Sequence, residues 1–280
     1  MPRKINPKLI KRLLDEKDLK PLLDYIKSDQ TLRLEVRQQG KAYVYYRKGL
    51  ALKIGLDSFE VNEKYENVPE LVLAKTNPPE YFQKIKQSID IWVNNPEKKH
   101  RPEFDVQQAV AAKNQNTQNK YLILDMEYNF AQDDIAEPER LKQAGFDLLG
   151  IERRTNKAVF FEVKKGLNAL RGNAGIRTHI EDFENFLYKN KNQQVFRDNL
   201  TADLKNILQD KITLGLITDY QPPQDFNLQT VELVFIYEPL DPESKTERQE
   251  YERIFENECR GITDKNYKTI FVSPGNYELL

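Results

Sequence analysis

Cysteine and histidine are scarce in this sequence of 280 residues, which contains one Cys and two His. The lone Cys259 can form neither an intramolecular disulfide nor a thiolate zinc site, and two histidines are too few for a His-rich metal site. No apolar run reaches the ~18 residues that a membrane-spanning helix needs. Because residues 1–20 alternate charged and apolar side chains, unlike a secretory signal, we expect a cytoplasmic protein with no membrane partner.

An excess of charge of one sign is also missing, since 43 Lys and Arg oppose 44 Asp and Glu for a formal net charge of −1. This balance argues against a histone-like nucleic-acid binder but is compatible with a local basic groove. The motifs G-x-S-x-G and G-x(4)-G-K-[ST] do not occur, which disfavours a serine hydrolase of that class and a P-loop NTPase. The 14 Tyr and 14 Phe are too many for a disordered chain.

The first part of the sequence predicts helices followed by an antiparallel meander. Apolar residues recur at helical spacing over residues 6–28, and apolar and charged residues then alternate over residues 31–37, as in a half-buried strand. Further short strands are expected within residues 42–61, and a helix over residues 79–92. The polar, proline-bounded stretch 94–102 is the linker candidate, so we expect an N-terminal recognition or assembly module at 1–95 and a second domain at 96–280.

The second part of the sequence predicts an α/β order of elements. Acidic residues 131–143 are expected to form a loop or short helix. Helices are predicted over residues 103–113, 176–189, 204–207 and 241–256, and strands over 121–128, 146–153, 158–164, 211–218, 231–237 and 270–272.

Charged residues converge on one predicted hairpin, formed by residues 145–166. With an even-numbered loop centred on residues 155–156, Asp147 lies opposite Lys164 and Leu149 lies opposite Glu162. Asp147 and Glu162 then become diagonal neighbours at roughly 7–8 Å. Charged groups at the end of an apolar strand are costly to bury unless they are paired or bind a metal. Carboxylates suit Mg²⁺ or Mn²⁺, and an adjacent lysine can position a water and stabilise phosphate charge. A structural ion network is the alternative interpretation.

The spacing D-x(14)-E-x-K, with Asp147, Glu162 and Lys164, resembles the PD-(D/E)xK nuclease superfamily of the restriction-endonuclease-like fold. The resemblance covers about residues 103–237 and implies an α-β-β-β-α-β core. It also implies that Asp147 and Glu162 are metal ligands and that Lys164 is catalytic. Many members carry a Glu on the first helix, for which the candidates here are Glu103 and the amides Gln107 and Gln108. The proline that often precedes the Asp is absent, since Phe146 stands there.

Further residues near this hairpin are candidates for the same site. Glu127 ends the preceding strand and is a fourth catalytic candidate, with a solvated strand end as the alternative. A Gly-rich segment after Lys164 leads into a helix, where backbone N–H groups can approach phosphate. The candidate nucleic-acid contacts are Lys165, Arg171, Arg177 and His179, with an ordinary charged or amphipathic surface as the alternative.

These patterns together predict a Mg²⁺-dependent nuclease, with Mn²⁺ able to substitute. DNA is favoured over RNA as the substrate, and a homodimer with two active sites would suit a double-strand cut. The alternative is a catalytically inactive module of the same fold that binds nucleic acid or a protein partner.

Overall fold

The structure is a computed structural model that describes residues 3–47, 49–95, 103–116, 118–129, 145–189, 193–262 and 267–280. It is mixed α/β, with one antiparallel and one mixed sheet. The chain divides into two compact units, one of residues 1–108 and 205–220 and the other of residues 109–204 and 221–280. Over the described ranges, each helix lacks either the length or the apolar character that crossing a bilayer requires.

The first unit contains the predicted helices and antiparallel meander. Asn6 caps the first helix by accepting a hydrogen bond from the backbone N of Lys8 at 2.9 Å, and Pro7 begins that helix. The sheet has the strand order β1-β2-β3-β4. The elements are α1 Pro7–Leu14, α2 Lys20–Ser28, β1 Leu32–Val36, β2 Ala42–Tyr46, β3 Gly49–Ile54, β4 Phe59–Glu60, α3 Leu73–Thr76, α4 Pro78–Val93 and the beginning of α5 Glu103–Lys113.

Strand β1 is buried along its whole length, whereas the alternating pattern predicted a half-buried strand. Arg33 and Glu35 lie on the side that a half-buried strand leaves exposed, yet they are 3% and 0% exposed. Lys211, from the segment 205–220 of the same unit, places Nζ 2.6 Å from Oε2 of Glu35. Arg33 donates to Oε1 of the same carboxylate at 3.1 Å. The charged side of β1 can be buried because Arg33 and Lys211 neutralise the carboxylate of Glu35.

The second unit is built around a five-stranded sheet with the order β5-β6-β7-β8-β9. Strands β5, β6 and β7 pair antiparallel, while β7, β8 and β9 pair parallel. Its elements are β5 Tyr121–Asn129, β6 Gly145–Glu152, β7 Lys157–Lys165, α6 Ile176–Glu184, the first part of α7 Gln193–Thr213, β8 Asn227–Glu238, α8 Lys245–Cys259 and β9 Lys268–Phe271.

Helices follow β7 and β8 because parallel neighbours in a sheet need a long crossover connection. Helix α6 packs on the sheet through Phe183, whose ring centroid lies 6.2 Å from that of Phe160 on β7. Helix α8 packs through Tyr251, whose ring lies 4.2 Å from that of Tyr237 on β8. The first contact holds α6 against β7, and the second holds α8 against β8.

One predicted strand is wrong. Residues 211–218 were expected to be a strand, but α7 continues to Thr213 and turns follow it. The apolar run was ambiguous because a short buried run fits a helix as well as a strand. The predicted helix 204–207 is a small part of α7. The predicted loop 131–143 and linker residues 96–102 lie outside the described residues.

Candidate functional site

The candidate site lies where the pairing of β6 and β7 stops. The last paired residues are Leu148 and Phe161, so the next residue on each strand is Asp147 and Glu162. Instead of a backbone pair at this point, Oδ2 of Asp147 accepts a hydrogen bond from the backbone N of Val163 at 2.8 Å. This contact holds the Asp147 carboxylate against the strand that carries Glu162.

The register of the hairpin differs from the predicted one. Leu149 pairs with Phe160, not with Glu162, and the prediction that placed Asp147 opposite Lys164 was also wrong. The paired residues next to the turn are Glu152 and Lys157, so the observed register differs from the predicted one by two residues. A shift of two residues keeps each side chain on the same face of the sheet, so the carboxylates of Asp147 and Glu162 remain neighbours.

Glu162 is almost fully enclosed, with 2% of its surface exposed, and Lys164 is 4% exposed. Nζ of Lys164 donates to Oε2 of Glu162 at 3.3 Å. Burial raises the pKa of Glu162 well above its ordinary value, the Asp147 carboxylate raises this pKa further, and Lys164 opposes both effects. When both carboxylates are ionised, their charge exceeds that of the one ammonium group, and a bound cation can balance the difference.

Glu127 has a backbone conformation that is unusual for a strand. It lies on β5 between Met126 and Tyr128, which pair with Leu148 and Phe146, so it stands across from Asp147. Its φ of 55° falls in the left-handed region, which costs a residue with a side chain about 1–3 kcal/mol. Such strain often marks a functional site.

His179 lies beside Glu162, although the sequence had assigned it to nucleic-acid contact. Its Nε2 is 3.2 Å from Oε2 of Glu162, and its side chain is 15% exposed. Periodicity had placed His179 on the helix after β7. The sequence carried no signal for its partner, because that depends on how the helix crosses the strand.

The other candidate phosphate contacts lie in different surroundings. Lys165 forms an ion pair with Glu238, its neighbour on the adjacent strand β8. Arg171 and Arg177 are more exposed, with side chains 58% and 44% accessible, and both lie within 4.0 Å of Glu258. Arg177 also donates to a backbone carbonyl at 3.0 Å. Their role in nucleic-acid contact stays a prediction.

The three first-helix candidates, Glu103, Gln107 and Gln108, all lie on α5, as predicted, within the first unit. Nε2 of Gln108 donates to the carbonyl oxygen of Thr31 at 2.6 Å, so this amide takes part in the packing of its own unit. Glu103 lies in the first turn of the helix and is half-buried.

A divalent hard cation fits the donor set at this site. Among the residues described here, there is no group of three or more His, Cys, Asp or Glu side chains that could hold a metal ion. The described residues therefore contain no site in which protein side chains alone supply all the metal ligands, as they do in structural zinc sites. Mg²⁺ usually binds through one or two carboxylates and completes its shell with water and substrate phosphate. Oε1 of Glu162, which is buried without a hydrogen-bond partner in the described part, is suited to such an ion.

No protein-family model, curated protein or solved structure matches this chain.

Proposed function

We propose that this protein is a Mg²⁺-dependent nuclease that hydrolyses phosphodiester bonds, with DNA favoured over RNA and Mn²⁺ able to replace Mg²⁺. The observation that carries the proposal is the meeting of Asp147, Glu162 and Lys164 where β6 and β7 cease to pair. The order α5-β5-β6-β7-α6-α7-β8 matches the α-β-β-β-α-β core of the PD-(D/E)xK resemblance with one additional helix, α7, before β8, and it supports the assignment.

The carboxylates would hold the ion. Asp147 is fixed by the backbone N of Val163, and Glu162 presents a buried Oε1 without a hydrogen-bond partner in the described chain. When bound there, Mg²⁺ would lower the pKa of a water molecule and polarise a phosphoryl oxygen. The raised pKa of Glu162 reflects burial first and its proximity to Asp147 second, and a cation would compensate for both.

Lys164 would orient the water and stabilise charge. Its ammonium group carries three N–H donors at the end of a flexible side chain. One hydrogen bond, to Oε2 of Glu162, is present at 3.3 Å. The remaining N–H groups can direct a water molecule toward phosphorus and stabilise the negative charge that develops on the phosphoryl oxygens. Hydrolysis adds the hydroxyl of water to phosphorus and a proton to the leaving oxygen. Glu127, across from Asp147, would be the third acid of the proposed site.

The substrate would reach the site past exposed cations. Arg171 and Arg177 stand before and at the start of α6, with nearly half or more of each side chain exposed. Guanidinium groups bind phosphate through paired N–H donors. Nucleic acid is therefore the substrate class that we infer, and the remaining expectations of a homodimer and a cytoplasmic location belong to the same proposal.

A cleavage assay with end-labelled single-stranded DNA, double-stranded DNA and RNA tests the proposal. We expect cleavage in Mg²⁺ or Mn²⁺ and none in EDTA. Asp147→Asn should abolish cleavage, and Lys164→Met should slow it by about 100-fold or more. Lys157→Met is the matched control, because Lys157 lies at the opposite end of β7 and pairs with Glu232. Full activity of both site variants would overturn the proposed active site.

The second candidate function is a catalytically inactive module that binds nucleic acid or a protein. The observation that favours it is the ion pair between Lys164 and Glu162, because a carboxylate that a lysine already neutralises has less need of a metal ion. The same assay separates the two functions. Binding of DNA or RNA by the wild type, without cleavage of any substrate in Mg²⁺ or Mn²⁺, would support the inactive module.

A further inference from the structure

The Glu162 carboxylate is held through one of its two oxygens. Nζ of Lys164 donates to Oε2 at 3.3 Å, and Nε2 of His179 lies 3.2 Å from the same oxygen, at ion-pair distance but without hydrogen-bond geometry to it. The other oxygen, Oε1, is buried and has no hydrogen-bond partner within the described ranges. Because a buried carboxylate oxygen without a partner is destabilising, this arrangement leaves Oε1 for a bound cation.

The two nitrogen atoms at Oε2 come from different elements. Lys164 belongs to the same strand as Glu162, whereas His179 belongs to α6. The adjacent Ile180 and nearby Phe183 are 0% and 1% exposed, so this helix is anchored in the core of its unit. A ring attached to an anchored helix has less freedom than the four-carbon stem of lysine.

We propose that His179 is a positioning residue, which holds Oε2 of Glu162 so that Oε1 is presented to the metal ion. The proposal rests on the nuclease function stated above. It also gives Lys164 a separate role, since Lys164 can turn toward the reacting water or phosphate while His179 keeps Glu162 in place. Groups that hold a metal-binding side chain in this way typically change metal affinity by about 10- to 100-fold when removed.

The test is Mn²⁺ titration by calorimetry, without substrate, on four folded proteins whose fold is verified by circular dichroism. His179→Gln retains a side-chain N–H donor near the position of Nε2, and His179→Leu has similar size but no donor. Lys189→Ala is the control, because this cation follows α6 in the same helical segment and its ion pair is with Glu184. If the leucine variant does not fold, His179→Met is the second donor-free replacement.

We expect Mn²⁺ affinity to fall about 10- to 100-fold in His179→Leu and to recover largely in His179→Gln. The Lys189→Ala variant should bind like the wild type. The positioning role would be overturned if His179→Leu bound Mn²⁺ with wild-type affinity, or if His179→Leu and His179→Gln lost Mn²⁺ affinity equally. Neither result would contradict the metal site itself. Absence of Mn²⁺ binding by the wild type, alone and with an added DNA oligonucleotide, would overturn the proposed metal-dependent function and this inference with it.

Discussion

Replacing Lys211 by methionine should destabilise the first unit, because the change removes one of two cations from a buried carboxylate. Lys211 and Glu35 are both 0% exposed, and their charged atoms are 2.6 Å apart. Arg33 remains bound to the other oxygen of Glu35 at 3.1 Å. Methionine fills a similar volume, so the loss reports mainly on the missing charge.

The magnitude follows from the distance and the burial. At an effective dielectric constant of about 20, unit charges at this separation attract by about 6 kcal/mol, from which the cost of removing the lysine from water must be subtracted. Breaking a buried pair by removing one partner costs about 3–5 kcal/mol. Because Arg33 still neutralises Glu35, we expect a loss of about 3 kcal/mol, near the lower limit.

Tryptophan fluorescence during guanidinium unfolding is the assay, because the single tryptophan, Trp92, lies in the first unit and reports on that unit. Lys205→Met is the matched control, since Lys205 is exposed on the same helix, and it should change stability by less than about 0.5 kcal/mol. The double variant with Glu35→Leu should lose less than the sum of the single changes. A loss below about 1 kcal/mol in Lys211→Met would refute the reasoning.

Three further predictions concern other positions. Glu127→Gly should be about 1 kcal/mol more stable than Glu127→Ala in chemical denaturation, because glycine tolerates a φ of 55° without strain; greater stability of the alanine variant would contradict this. A hydrogen bond from Arg12 and a second from Lys75 lower the pKa of Asp18 to about 2. The stability that these contacts supply should therefore be present above about pH 4 and be lost as the pH falls toward 2, and Lys75→Ala should raise the pKa of Asp18 in an NMR titration; an unchanged titration would exclude Lys75 as a partner. Asn114→Ala should cost about 2 kcal/mol and speed hydrogen exchange of the C-terminal residues, whose backbone groups it binds at 2.8 Å; unchanged exchange there would show that this anchor is not needed.

Local pattern was enough to predict α5 and most strands and helices of the second unit. Runs such as residues 158–164 carry β-branched and aromatic side chains, and helix α5 has the predicted bounds Glu103–Lys113. The segment 211–218 failed because its apolar residues fit both a strand and the end of a helix. Strand β1 was placed correctly but its burial was not, because Lys211, which neutralises Glu35, lies far away in the sequence.

The candidate site was predictable to the extent that it depends on one hairpin. The spacing of Asp147, Glu162 and Lys164 brought them to one strand end, but the position of the turn set the wrong register. The turn between the paired residues Glu152 and Lys157 is centred on residues 154–155, one residue earlier than predicted, and Asn156 within it has a φ of 54°. The partner of His179 had no sequence signal, since its contact with Glu162 depends on the path between β7 and α6.

The most direct test of the central claim is to locate Mn²⁺ by anomalous X-ray diffraction in crystals grown with the ion. We expect an anomalous peak bound by Asp147 and by Oε1 of Glu162, with Oε2 still held by Lys164 and His179. The peak should disappear in the Asp147→Ala/Glu162→Ala double variant. A wild-type map with no peak between these two carboxylates, in crystals that also contain a DNA oligonucleotide, would contradict the assignment of a metal-dependent nuclease site.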